Sequence, residues 1–293
     1  MNRAGVDDVI EDTAREVGIQ VWVHARRLGD DPEVVDTKGS EPVPMASLYK
    51  LPLAACWSDL VASGTLEPRQ RLRMTPDDRA PGPTGIAVLA DDVSVSQRDA
   101  VRLMLSVSDN AAAERILAIV GLDRLAQWLV ARNLTHTAVR RGSRESWGRV
   151  TAETGGGHAG EAPARLANTD VDVQTSEYDT LLASVSTAAD LTSVLDSLWA
   201  GGHHGWVRES LRLQAWRHRI GSGFPHDDVG IYAKTGTLGR LRHEAAVIEF
   251  PHEHRIAVAV LTKSARPETH QPRVDSAIGR IARLAVTALR RPT

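Results

Sequence analysis

Residues 45–61 read MASLYKLPLAACWSDLV, a run that turns helical after Met45 and is stopped by Ser63-Gly64. Ser47 and Lys50 stand three residues apart at its start, a spacing that puts both side chains on one helix face. That geometry suits a serine nucleophile served by an amine base. An ordinary lysine is protonated at neutral pH, so burial or a neighbouring cation must first lower its pKa, and Lys234 is the expected neighbour. The helix N-terminus favours negative charge developing on an attacked carbonyl oxygen, with the backbone N–H of Ser47 as one donor.

Outward from this segment, Val6, Ile10, Ala14 and Val17 recur at helical spacing, and Ile19 to Val23 alternates like a strand. Gly29 and Asp30 mark a turn, with Val34 and Val35 on the returning strand. On the other side a Pro-rich, charged stretch, Pro68 to Pro83, precedes a capping box at Ser96-Gln-Arg-Asp99. The helix that follows carries Val101, Met104 and Leu105 and ends near Ser106 to Ser108; Asn110 is expected to cap a second helix, closed by Gly121. A third spans Leu122 to Arg132. Residues 133–180 read as a long loop whose glycine run, Thr154 to Gly160, lacks the strand, Lys-Ser/Thr and helix of a phosphate loop. Helical spacing returns from Thr187 to Leu198. Glu244–Phe250 and Ile256–Thr262 form a hairpin, and Ala277 to Leu289 an amphipathic helix.

Strands at both ends with helices between them predict an α/β (α+β) fold, an antiparallel sheet flanked by N- and C-terminal helices plus an all-helical lobe. The expected sheet lobe is 1–46 with 220–293, the helical lobe 47–219, and the cleft between them the site.

Composition narrows the partners. A net charge of −2 over 293 residues gives no basic face for nucleic acid or an anionic membrane, and no segment approaches the length of a membrane span. A small molecule is the expected partner, with no cofactor; the oligomeric state stays open. The acidic N-terminus shows no basic-then-apolar leader, so a cytoplasmic location is expected, or secretion if a leader has been removed. The single cysteine, Cys56, forbids an internal disulfide and reads as core. His203-His204 and His252-x-His254 lack a carboxylate at ligand spacing and read as solvated loops, without a metal.

Lysine is scarce, occurring only at 38, 50, 234 and 263, which makes a lysine inside a motif informative. Ser47-x-x-Lys50 alone is a weak signal. Ser108-Asp-Asn110 and Lys234-Thr-Gly236 would each arise by chance in roughly one chain in forty, so the ordered trio is specific. With it the chain resembles the class A β-lactamases and penicillin-binding proteins. Pro81-Gly-Pro-Thr-Gly-Ile86, Arg102 to Asn110, Arg219 to Pro225 and Lys234 to Leu238 extend the likeness over roughly residues 5–132 and 186–290.

The resemblance implies that Ser47 is acylated, Lys50 is its base, and Ser108, held by Lys234, relays a proton to the leaving group. It also implies that Asn110 bonds the substrate's amide and that Thr235, Gly236, Thr237 and Arg219 line the substrate-binding strand. Thr235, Thr237 and Arg219 would meet a substrate carboxylate, and the Thr237 N–H would complete the oxyanion hole. One departure stands out. Class A enzymes carry a loop glutamate followed four residues later by asparagine, which activates the deacylating water; Glu145, Glu153, Glu161 and Glu177 all lack that neighbour. The sequence therefore predicts an acyl-enzyme from a lactam, amide or ester that persists or passes to another nucleophile. An acyltransferase or esterase of small-molecule metabolism, and a non-enzymatic penicillin-binding sensor or degenerate scaffold, remain the alternatives.

Overall fold

The computed structural model describes residues 3–29, 33–168, 170 and 173–291, so Asp30 of the expected turn lies outside the described residues. Its main sheet has five antiparallel strands: β1 (Ile19–Arg27), β2 (Val34–Thr37), β7 (Gly230–Leu238), β8 (Leu241–Glu249) and β9 (Ile256–Ser264), in the order β2-β1-β9-β8-β7. The apolar residues of β8 and β9 do not alternate with polar ones because both sheet faces are covered. Ala246, Ile248, Val258 and Val260 join the core beneath α1 (Arg3–Glu16) and α10 (Pro272–Leu289). Ala245, Val247, Ala257, Ala259 and Leu261 face the opposite core, under α8 (Ala188–Ala200).

The remaining helices are α2 (Lys50–Ala62), α3 (Gln97–Ser106), α4 (Asn110–Val120), α5 (Leu122–Ala131), α6 (Ser143–Glu153), α7 (Ala162–Leu166) and α9 (Gly205–Arg212). Helix α2 is apolar on nearly every side and buried from Lys50 through Ser58, the pattern of a helix enclosed by others. Helices α3, α4, α5, α8 and α9 all touch it.

Several elements depart from the sequence reading. The N-cap of α4 is Asp109, whose carboxylate accepts the N–H groups of Ala111 and Ala112 at 2.9 and 3.2 Å, and this leaves the Asn110 side chain free for other bonds. Two short ribbons were not expected: β3 (Val43–Pro44) with β6 (Val185–Ser186), and β4 (Arg71–Met74) with β5 (Val93–Ser96), the latter cutting into the Pro-rich stretch. Residues 133–180 are not one long loop, since α6 and α7 lie within them. Tertiary contacts rather than periodicity hold these helices, through a small core of Val150, Ala162, Leu166, Tyr178, Leu238 and Leu241. Among the described residues no helix is long and apolar enough to cross a membrane.

Candidate active site

Ser47 lies in a 3-10 turn, Ala46–Tyr49, that runs directly into α2, so Lys50 is the first residue of that helix. Ala46, just before it, has φ +45°, a left-handed conformation that costs a non-glycine residue energy and here turns the chain at the serine. Ser47 is half-buried and lines a cleft of about 1090 Å³.

Lys50 and Lys234 are fully buried behind it. Lys50 Nζ donates to the carbonyl of Ser108 at 2.7 Å, to Ser108 Oγ at 3.3 Å and to Asn110 Oδ1 at 2.7 Å. Lys234 Nζ donates to Ser108 Oγ at 2.9 Å and to the carbonyl of Thr235 at 2.7 Å. Ser108 sits between α3 and α4 with φ +59°, so a second strained residue presents its hydroxyl to both amines. The loop Pro81–Ile86 is held over this junction by Asp109, which accepts the Ile86 N–H at 2.6 Å, while Asn110 Nδ2 donates to the carbonyl of Pro81. Gly85 has φ +67°, and a Cβ there would lie 2.3 Å from the Asp109 carboxylate.

Burial is what makes these amines unusual. It lowers Lys50 to about 7, against the opposing pull of Asp109 and Glu114. Lys234 is held well below the usual lysine range, by burial first and then by the charges of Lys50 and Arg219. Of the two causes expected for Lys50, burial or a neighbouring cation, burial is the one that acts, and Lys234 is not among its causes.

Strand β7 is an edge of the sheet and forms the facing wall. Thr235 and Thr237 line the cleft. Gly236 packs away from it: a Cβ there would stand 2.9 Å from the Met45 carbonyl and 3.1 Å from Leu48 Cγ, so glycine lets the Ser47 turn press against the strand. Arg219 is buried behind Thr237. It donates to Asp275 at 2.9 Å, to the carbonyls of Gly236 and His243 at 3.1 and 2.9 Å, and to Thr237 Oγ1 at 2.7 Å. Most of its guanidinium is thereby committed to holding the wall. His243, also fully buried, bridges β8 to the segment before Ser47: its Nδ1 accepts the Thr262 N–H and its Nε2 donates to the Pro44 carbonyl. Burial lowers His243 to about 4, which keeps the ring neutral for both bonds.

The segment 133–186 contributes side chains that the sequence reading did not single out. Tyr49, whose phenol burial pushes up in pKa, donates to Ser143 Oγ at 2.7 Å, and Ser143 donates to Asn110 Oδ1 at 3.2 Å. The first residue of α6 therefore reaches the hydrogen-bond network of Lys50. Of the four glutamates considered, Glu177 lines the cleft, but Arg141 takes one of its oxygens at 2.8 Å and Ser146 the other at 3.3 Å. Glu145 bonds Arg141 and Arg149, Glu153 bonds Thr175 and Ser176, and Glu161 bonds Gly157 and Arg165. Nothing in the local sequence marks Ser143 or Tyr49; their role depends on how α6 folds back onto α4.

His203 and His204 are the clearest correction. His204 is buried rather than solvated, and Asp59, 144 residues away in sequence, hydrogen-bonds His203 at 2.7 Å.

The profile of the β-lactamase enzyme family matches residues 5–289. The chain belongs to that family. It is 30% identical over 281 residues to the β-lactamase regulatory protein BlaB of Streptomyces cacaoi, covering 87% of this chain and 86% of BlaB. Among solved structures, the fold matches a β-lactamase of Sphaerobacter thermophilus with a TM-score of 0.77 at 22% identity, over 97% of this chain and 96% of that one. A variant of PBP-A solved as an acyl-enzyme complex with penicillin G matches with a TM-score of 0.75 at 17% identity, over 97% and 96%. The fold of this family member is thus the β-lactamase/transpeptidase-like one expected from the sequence, and its family is one of serine acyl hydrolases of the β-lactamase type.

Proposed function

We propose that the protein forms an acyl-enzyme at Ser47 from a lactam, amide or ester and releases the acyl group slowly. The observation that carries this reading is the pair of buried amines converging on Ser108, beside a serine that opens onto the cleft.

A Lys50 amine titrating near 7 is substantially unprotonated at neutral pH; its two N–H groups keep the 2.7 Å bonds to the Ser108 carbonyl and Asn110 Oδ1, and its lone pair can accept the Ser47 proton. Ser47 Oγ then bonds to the carbonyl carbon, and the negative charge moves to the carbonyl oxygen. Backbone N–H groups of Ser47 and Thr237 receive that oxygen; one such donor contributes about 3 kcal/mol to the transition state. As the tetrahedral intermediate collapses, the carbon–nitrogen or carbon–oxygen bond breaks and the leaving atom takes the Ser108 hydroxyl proton, which is replaced by the proton Lys50 took from Ser47, while Lys234 holds the Ser108 oxygen. Thr235 and Thr237, the latter fixed by Arg219, receive a substrate carboxylate, and Asn110 Nδ2, one hydrogen of which is given to the Pro81 carbonyl, donates the other to the carbonyl oxygen of the acyl amide. Gly236 serves this wall by close packing.

Release needs a base for water, and the loop carboxylate that lines the cleft is occupied by Arg141 and Ser146. The acyl group therefore stays. A persistent adduct is also what a penicillin-responsive regulator requires, and the regulatory name of the Streptomyces relative favours that second reading. Intact-mass measurement after exposure to penicillin G, followed over hours, tests both. A single adduct on Ser47, absent in Ser47→Ala and decaying slowly, is the expected result. Rapid turnover of a chromogenic cephalosporin overturns slow release, and absence of any adduct or ester cleavage overturns acylation.

A further inference from the structure

We infer that Asp59, His203 and His204 form a binding site for one divalent transition-metal ion of the zinc class, at the end of α2 remote from Ser47. Asp59 lies in the last turn of α2, and the two histidines form the 3-10 turn Gly202–His204 that leads into α9. His203 Nε2 is 2.7 Å from Asp59 Oδ1, and His204 Nε2 is 3.5 Å from the same oxygen. The three donor atoms all lie within 4.8 Å of one another. Ligands about 2.1 Å from a tetrahedral zinc stand about 3.4 Å apart, so small side-chain movements convert this cluster into three corners of the tetrahedron, with the fourth open to water.

The surroundings orient each donor. His204 Nδ1 pairs with Ser58 Oγ at 2.9 Å, which directs Nε2 toward Asp59, the arrangement by which a second partner fixes a metal-binding imidazole. Asp59 Oδ2 is taken by Trp128 Nε1 at 2.7 Å and by Arg132, so Oδ1 is the oxygen turned to the histidines. The two rings lie 3.8 Å apart, and they approach so closely because residue 201 is glycine: a Cβ there would stand 2.8 Å from His203 Cε1 and 3.1 Å from His204 Cδ2. Imidazole nitrogens with a carboxylate suit zinc, copper or nickel over magnesium or calcium.

Asp59 is nine residues beyond Lys50, about 13 Å along the helix axis, so the ion does not touch a group bound at Ser47. Its effect is to tie the C-terminal turn of α2 to the turn before α9. The inference is independent of the acylation proposed above.

The test is isothermal titration of chelator-treated protein with zinc chloride, beside cobalt(II) absorption and thermal unfolding. Wild type is expected to bind one zinc ion per chain, to gain the visible cobalt bands of four-coordinate nitrogen–oxygen ligation, and to unfold at a higher temperature with zinc, since an ion that binds only the folded state stabilises it. His203 is partly exposed, so His203→Ala is expected to keep its metal-free unfolding temperature while losing at least about tenfold in zinc affinity. His254→Ala should bind as wild type does. Absence of binding up to about 100 µM zinc overturns the inference by the same mass-action measure, as does equal affinity in wild type and His203→Ala.

Discussion

Lys50 and Lys234 share one hydrogen-bond acceptor, the Ser108 hydroxyl, at 3.3 and 2.9 Å. Two ammonium groups so placed and fully buried would repel strongly in a medium that screens them little. The arrangement is tolerable when at least one is neutral, and a neutral amine beside a serine is the chemistry acyl transfer needs. The removal of these amines from water thus underlies both their lowered pKa values and the proposed reactivity of the site.

Replacing Lys50 with Met keeps length and apolar volume but removes the proposed base. Lys50→Met is expected to slow acylation by penicillin G about 10²- to 10⁴-fold, the usual contribution of a positioned base. Stopped-flow or quenched mass measurements, with circular dichroism to establish folding, check this. Acylation within a few-fold of wild type would show that another group accepts the Ser47 proton.

The same burial predicts how stability varies with pH. Lys50 titrates at about 7 in the folded protein and at 10.5 when unperturbed, so between these values the unfolded chain binds more protons. Stability therefore rises with pH across that window, and below it the full cost of burying the charge is felt. Lys234 acts in the same direction. Glu244, raised to about 7 by burial, acts below this window, and Cys56, raised from 9.0 to about 12, acts above pH 9. Urea unfolding is expected to show stability climbing from pH 7 to pH 9, by at most about 1.4 kcal/mol per pH unit for each lysine. Lys50→Met should flatten the climb, and a decline in wild type over this range would contradict it.

Much of this was legible in the sequence, and the missing parts share a cause. The strands β8 and β9, helices α2, α5, α8 and α10, and the Ser47, Ser108 and Lys234 motifs are local patterns of apolar spacing or short residue runs. Asp109 capping α4 in place of Asn110 is a choice between adjacent good caps, decided by the loop at Gly85 that needs the Asp109 carboxylate. Ser143 beside Asn110, Glu177 held by Arg141, and Asp59 beside His203 join residues 33, 36 and 144 positions apart. No local spacing encodes such meetings; the packing of α6 on α4 and of the 202–204 turn on α2 creates them.

Gly236 offers a test of how the sheet edge places the serine. In Gly236→Ala the new Cβ would be 2.9 Å from the Met45 carbonyl, two residues before Ser47. The backbone cannot swing aside as a long side chain could, so the Ser47 turn must shift. A displacement of about 1 Å at reacting atoms can cost on the order of 100-fold in rate, whereas overpacking costs about 1–3 kcal/mol in stability. The expected outcome is a folded variant, by thermal unfolding, with acylation reduced far more than that of a control such as Gly148→Ala, an exposed position on α6 where a Cβ meets nothing within 4 Å. Equal acylation in Gly236→Ala and wild type would mean that the turn and strand are not mechanically joined.

Ser143 bears on the second half of the reaction. Its hydroxyl bonds Asn110 and Tyr49, it lines the cleft with Ser47, and it begins α6, where a carboxylate is favoured by the helix dipole. A glutamate at 143 would carry an acceptor from this network further into the cleft, toward water beside an acyl group on Ser47. Glu177 cannot substitute, because Arg141 and Ser146 hold its oxygens. Ser143→Glu is therefore expected to shorten the lifetime of the penicillin adduct by about 100- to 1000-fold, within the range of general-base assistance, while changing its rate of formation much less. Adduct lifetime by intact mass and cephalosporin turnover by absorbance read the two steps separately. If the adduct forms and persists unchanged in a folded Ser143→Glu protein, want of a base is not what limits release, and exclusion of water from the acylated cleft becomes the governing cause.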